Sequence, residues 1–155
     1  MNSLQPLLTL LAHVERERDA AMAEAKRVEM DRHAAQRQTE RLQSYRREYE
    51  QRWGSQFGQS GGIDIVQCYH GFMTRLGQAI DAQERVTLQA AQRLEFAQAS
   101  WLEHEMRVAS VRKLIERRGR ELRGAADLSE QKQLDEHAAR LLWNRGAGGG
   151  MPAAA

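Results

Sequence analysis

Residues 69–122 read YHGFMTRLGQAIDAQERVTLQAAQRLEFAQASWLEHEMRVASVRKLIERRGREL. Tyr69, Met73, Leu76 and Ile80 recur at steps of four and three. Gln83, Thr87, Ala90, Leu94, Ala97 and Trp101 continue the phase, and Val108, Val111, Ile115, Arg118 and Leu122 follow after His104. A period of about 3.5 residues held over this many turns specifies a helix that pairs along a seam. The fold class predicted is all-α.

The first half carries a matching seam: Leu7, Leu11, Val14, Ala21, Ala25, Val28, Ala35, Leu42 and Tyr49. Every gap is a heptad or one of its two parts. The skipped positions hold Arg18, Arg32, Thr39 and Arg46 among good helix formers. Between the seams, residues 54–62 contain four glycines, each costing about 1 kcal/mol in a helix. This stretch reads as the turn of an antiparallel coiled-coil hairpin. Its first arm would span about 75 Å and its second about 90 Å at the helical rise. Folding about residue 58 predicts that Leu42 faces Leu76 and Tyr49 the Tyr69 region. It places Val28 near Thr87 and Leu88, and Val14 near Trp101 and Leu102.

The ends follow from local signals. Ser3 is a candidate N-cap, with Pro6 tolerated in the first helical turn. Gly119 and Gly124 predict the end of the second long helix. Asp127 and Glu130 have capping-box spacing ahead of a short third helix. The expected organisation is one domain over residues 1–145: helix 4–53, turn 54–62, helix 63–123 and short helix 128–143. Residues 146–155 are expected to form a flexible tail.

The chain has 155 residues, 28% of them charged, and a net charge of only +2, which disfavours a nucleic-acid binder. Its leucine-rich start has no basic segment before it and is too short to span a bilayer. Cys68 is the only cysteine, so no intramolecular disulfide can form, which fits a reducing compartment. The histidines (His13, His33, His70, His104 and His137) make no metal-ligand spacing, and residues 54–62 lack the lysine of a phosphate loop. No enzyme activity, metal or cofactor is expected.

Two features point to partners. Tyr45, Tyr49, Trp53, Phe57, Tyr69 and Phe72 crowd the loop end. Gln38, Leu42, Tyr45 and Tyr49 form one stripe, and Phe72, Leu76, Ala79 and Gln83 another. A two-helix coil is too thin to bury so many rings, so some should be exposed; they form a docking surface, staple the loop, or do both. The second feature is the basic run Arg112, Lys113, Arg117, Arg118, Arg120 and Arg123. It complements the dipole of a helix C-terminus and would attract an acidic surface.

The Leu42-x-x-Tyr45-x-x-x-Tyr49 run, the Tyr69-x-x-Phe72-x-x-x-Leu76-x-x-Ala79-Ile80 run and Trp101 resemble the flagellar FliJ family. The closing segment from Glu130 to Arg140 is similar too, and the likeness covers nearly the whole chain. The resemblance implies a non-enzymatic stalk of bacterial flagellar type III protein export. Its termini-bearing end would enter the ring of the export ATPase FliI, here through Leu7, Leu11, Val14, Arg112, Arg117 and Arg118. Its gate surface would contact the membrane protein FlhA through Gln38, Leu42, Tyr45, Tyr49, Phe72, Leu76 and Ala79. Such a stalk would couple ATP hydrolysis and the proton gradient to export, with a role in handling export chaperones. It would sit in the cytoplasm, peripherally against the membrane at the flagellar base. The equivalent stalk of a virulence injectisome and a generic coiled-coil adaptor are the alternative readings.

Overall fold

The computed structural model describes residues 4–57 and 62–148. Ser3 and residues 149–155 of the expected tail lie outside them, as do residues 58–61 of the expected turn. Two long helices account for nearly all of it, α1 (Gln5–Arg52) and α2 (Ile63–Gly148), with a single π-helical turn at Trp53–Phe57. No strand occurs among the described residues. Pro6 lies in the first turn of α1, where its missing N–H has no intrahelical acceptor to lose. α2 opens with the N–H groups of Ile65 and Val66 donating to the Gly62 carbonyl at 3.1 and 3.3 Å, and with Asp64 favouring the positive end of the helix.

The chain divides into two compact units. The first to consider is residues 14–108, where α1 and α2 pair as an antiparallel hairpin. Ala25 and Val28 pack with Leu94 and Ala97, and Trp101 closes this cluster. Tyr49 meets Phe72 and Trp53 meets Tyr69 toward the turn, while Arg18 reaches Glu105 at 3.5 Å toward the other end. These pairs correct the expected register by roughly five residues, about one and a half helical turns. Val28 packs with Leu94 instead of lying by Thr87 and Leu88, and Trp101 joins the Ala25 layer instead of Val14. The cause is the turn. Gly54 is taken into the π-helical turn, so α1 runs on helically to Phe57 and the fold point moves down the chain.

The polar seam positions meet one another. Thr39 is 5% exposed, and its hydroxyl donates to the Ala35 carbonyl at 3.2 Å. That uses its only proton, so the Thr87 hydroxyl donates to Thr39 across the hairpin at 2.9 Å. Gln83 Nε2 donates to the Ala35 carbonyl at 3.2 Å. A buried hydroxyl without a partner costs about 1–3 kcal/mol, so this layer is stable only in a register that satisfies it.

The second unit comprises residues 1–13 and 109–155. Leu4, Leu7 and Leu11 are half-buried, as are Ile115, Gly119 and Leu122, and Val111 is buried. The expected seam residue Arg118 is exposed, and Gly119 takes the inward position. The steps from Val111 are therefore four, four and three, which follows the straight-helix period better than a strict heptad does.

Three expectations fail in this unit. Gly119 and Gly124 do not end the helix, residues 128–143 do not form a separate third helix, and residues 146–148 are helical. All belong to α2, which has 86 residues, and no described glycine takes a positive φ. Two glycines cost about 2 kcal/mol together, but Ala125, Ala126, Leu128, Glu130, Gln131 and Lys132 continue the ladder with little side-chain entropy loss. Asp127 and Glu130 are exposed mid-helix residues and cap nothing.

Candidate docking surface

The stripes at the turn end of the hairpin converge on an aromatic layer. Tyr49 and Phe72 have ring centroids 4.6 Å apart with planes inclined by 44°. Trp53 and Tyr69 stack at 4.1 Å and 12°. Heptad spacing places Tyr49 on the seam of α1, and four further residues bring Trp53 to the same face. These contacts staple the arms together, yet they do not fully bury the rings: Phe72 is 37% exposed, and Tyr49, Trp53 and Tyr69 are half-buried. Tyr49, Trp53, Ile65, Cys68, Tyr69 and Phe72 line a shallow hollow of about 200 Å³.

The remaining proposed gate residues lie around this layer. Gln38, Leu42 and Leu76 are half-buried at the seam, and Ala79 is exposed. Gln38 Oε1 accepts a hydrogen bond from Arg41 at 2.7 Å, which fixes its side chain. Tyr45 lines a different groove, with Arg37, Glu40, Arg41, Ser44 and Glu48. The structure thus brings Tyr49 and Phe72 into contact and sets Tyr45 on a polar flank. Nearby charges are paired locally: Arg52 with Glu48 at 2.7 Å and Arg46 with Glu50 at 3.3 Å. What the surface offers is apolar rings with a neutralised rim, suited to docking. Ile65 escaped the sequence reading. Its signal was the i, i+3, i+4, i+7 spacing of Ile65, Cys68, Tyr69 and Phe72.

A larger hollow of about 530 Å³ lies along the middle of the hairpin, lined by Ala21, Val28, Phe96 and Ala97 among others, with Glu24, Arg27 and Asp31 on its edge. Small alanines in the seam leave this room. Arg27 binds Glu24 at 2.6 Å and Asp31 at 3.2 Å. The Arg27 hydrogen bond holds the Glu24 carboxyl below its ordinary range. No cluster of three or more metal-capable side chains occurs among the described residues.

The residues expected at the ATPase ring divide between the two units. Val14 is 8% exposed and buried within the hairpin unit. In the other unit Leu7 and Leu11 are half-buried, while Arg112, Arg117 and Arg118 are exposed. Arg118 and Arg117 share Glu121 at 3.1 and 4.0 Å. No helix among the described residues is long and apolar enough to cross a membrane.

Comparisons with curated proteins and with solved structures return no match. The family model described as flagellar FliJ protein matches residues 3–147. That span takes in both seams, the aromatic layer and the closing segment, and the chain belongs to the flagellar FliJ family, a stalk component of flagellar type III protein export.

Proposed function

We propose that this protein is a non-enzymatic coupling stalk that touches two parts of the flagellar export apparatus. The family match over residues 3–147 carries the reading. The gate membrane protein FlhA binds the turn end of the hairpin, where Tyr49 and Phe72 present partly exposed rings. Leu42, Leu76 and Ala79 extend that surface, and Gln38 and Tyr45 give it polar edges. The export ATPase FliI takes the unit that holds the N-terminal residues, through Leu7, Leu11, Arg112, Arg117 and Arg118. ATP hydrolysis and the proton gradient are coupled through these two contacts, with export chaperones as further clients. The protein works on the cytoplasmic side of the membrane at the flagellar base.

The gate contact is tested by the triple change Tyr45→Ala, Tyr49→Ala and Phe72→Ala. Central aromatic anchors are worth about 2 kcal/mol or more each at protein interfaces, so binding to purified FlhA should weaken at least about 30-fold. Unchanged affinity with retained helicity rejects the surface. For the ATPase end, Arg117→Glu with Arg118→Glu should reduce stimulation of FliI turnover by the full-length protein. Undiminished stimulation rejects those arginines as the contact.

A further inference from the structure

The outer face of α2 in the C-terminal unit has a charge pattern of which the proposed ATPase contact uses Arg117 alone. Val111, Ile115, Gly119 and Leu122 point inward. Residues two positions away lie on the opposite side of the helix. There Lys113, Arg117, Arg120, Gly124, Asp127, Gln131 and Asp135 recur at steps of three and four, and all are exposed. The face is basic before Gly124 and acidic after it. Lys113, Arg120, Asp127 and Asp135 make no ion pair within the chain among the described residues, and Arg117 reaches Glu121 only at 4.0 Å.

We infer that this face binds a second copy of the same chain, antiparallel, about a two-fold axis at Gly124. A surface that meets itself across a two-fold axis must be self-complementary, with each residue facing one equally distant on the other side of the axis. Here that rule sets Lys113 opposite Asp135 of the second copy and Arg117 opposite Gln131, and it brings Arg120, four residues from the axis, within one residue of Asp127, three residues from it. Each ion pair occurs twice. Gly124 falls at the crossing, where the absence of a side chain lets two backbones approach. The chain's own packing does not require glycine there, since a Cβ at that position would meet nothing within 4 Å.

A contact made of exposed charges responds to salt. Sedimentation equilibrium of the full-length protein, kept reduced because Cys68 is exposed, is run at about 0.01 M and about 1 M ionic strength, where the screening length is about 30 Å and about 3 Å. The expected mass is twice 17.7 kDa at the lower ionic strength and 17.7 kDa at the higher. Lys113→Glu with Arg120→Glu sets acid against acid in the dimer, and Asp127→Lys with Asp135→Lys sets base against base. Each variant alone should be monomeric at low ionic strength with unchanged helicity. Mixed one to one, they restore every opposed pair and should form a dimer. A monomeric wild type at low ionic strength, dimerisation of either variant alone, or a mixture that stays monomeric would each overturn the inference.

Discussion

Two stretches of one helix, α2, have similar compositions and different fates. Between Ile80 and Val108, the residues Ile80, Ala90, Leu94, Ala97 and Val108 are buried. Beyond Leu122 every described residue is exposed, including Leu128, Leu134, Leu141, Leu142 and Trp143. Both stretches are helical, so burial is not what makes the backbone coil. Runs of Ala, Leu, Glu, Gln and Arg suffice locally, and continuation of an existing helix avoids a new nucleus. What differs is the placement of the apolar side chains. In the paired stretch a series of them holds one face, with Val86, Leu88, Phe96, Leu102 and Met106 exposed outside it. In the exposed stretch Leu134 and Leu141 share a face, while Leu128 and Leu142 lie on others. Propensity sets where the helix is, and the seam sets where it has a partner.

The largest test of this contrast is a matched pair of truncations. Leu94→Ala removes a side chain packed in the Ala25, Val28 and Ala97 layer, and should cost about 2–3 kcal/mol. Leu134→Ala touches a side chain that is 62% exposed and should fall within about 0.5 kcal/mol of wild type. Urea unfolding followed by circular dichroism measures both. Equal losses would mean that the C-terminal stretch is packed in solution.

The antiparallel pairing of two long helices was legible in the sequence because two phased seams are separated by glycines that a helix tolerates poorly. The aromatic cluster was legible for the same reason, since the rings sit at seam spacing on both arms. The register was not. It depends on how many of residues 54–62 join the helices, and Gly54 enters a π-helical turn that residue type alone does not announce. The inward turn of Gly119 in place of Arg118 is a sub-turn drift that a fixed heptad does not capture. The supposed break at Gly124 overweighted a single residue against the helix formers that follow it.

A subtler contrast lies inside the hairpin, between the apolar layer at Val28 and Leu94 and the polar layer at Thr39 and Thr87. Thr39→Val alone leaves the Thr87 hydroxyl facing a methyl group, and should cost about 1 kcal/mol. Adding Thr87→Val should recover most of that loss. The same double variant removes the group that distinguishes this layer from its neighbours, so slipped pairings gain population. Spin labels at the exposed positions Glu40 and Gln89 would report this as a broadened distance distribution. A narrow, wild-type distribution in the double variant would assign register to the aromatic staple instead.

The smallest expected effect concerns the charged rim of α1. Arg32 hydrogen-bonds Glu29 at 2.9 Å, and Arg27 binds Glu24 at 2.6 Å. These bonds hold both carboxyls below the ordinary value of 4.5. The unfolded chain therefore takes up these protons at a higher pH than the folded chain does, so stability contributed by the pairs is complete above the ordinary value and lost as pH falls through the lowered one. Both pairs are local to one helix and open to water, so salt screens them and their contribution is slight. Glu24→Gln with Glu29→Gln should leave thermal stability at neutral pH nearly unchanged and slightly flatten its decline on acidification. An unaltered acid decline would place its origin in other carboxylates, of which Glu105 opposite Arg18, a pair that joins the two arms, is the next to test.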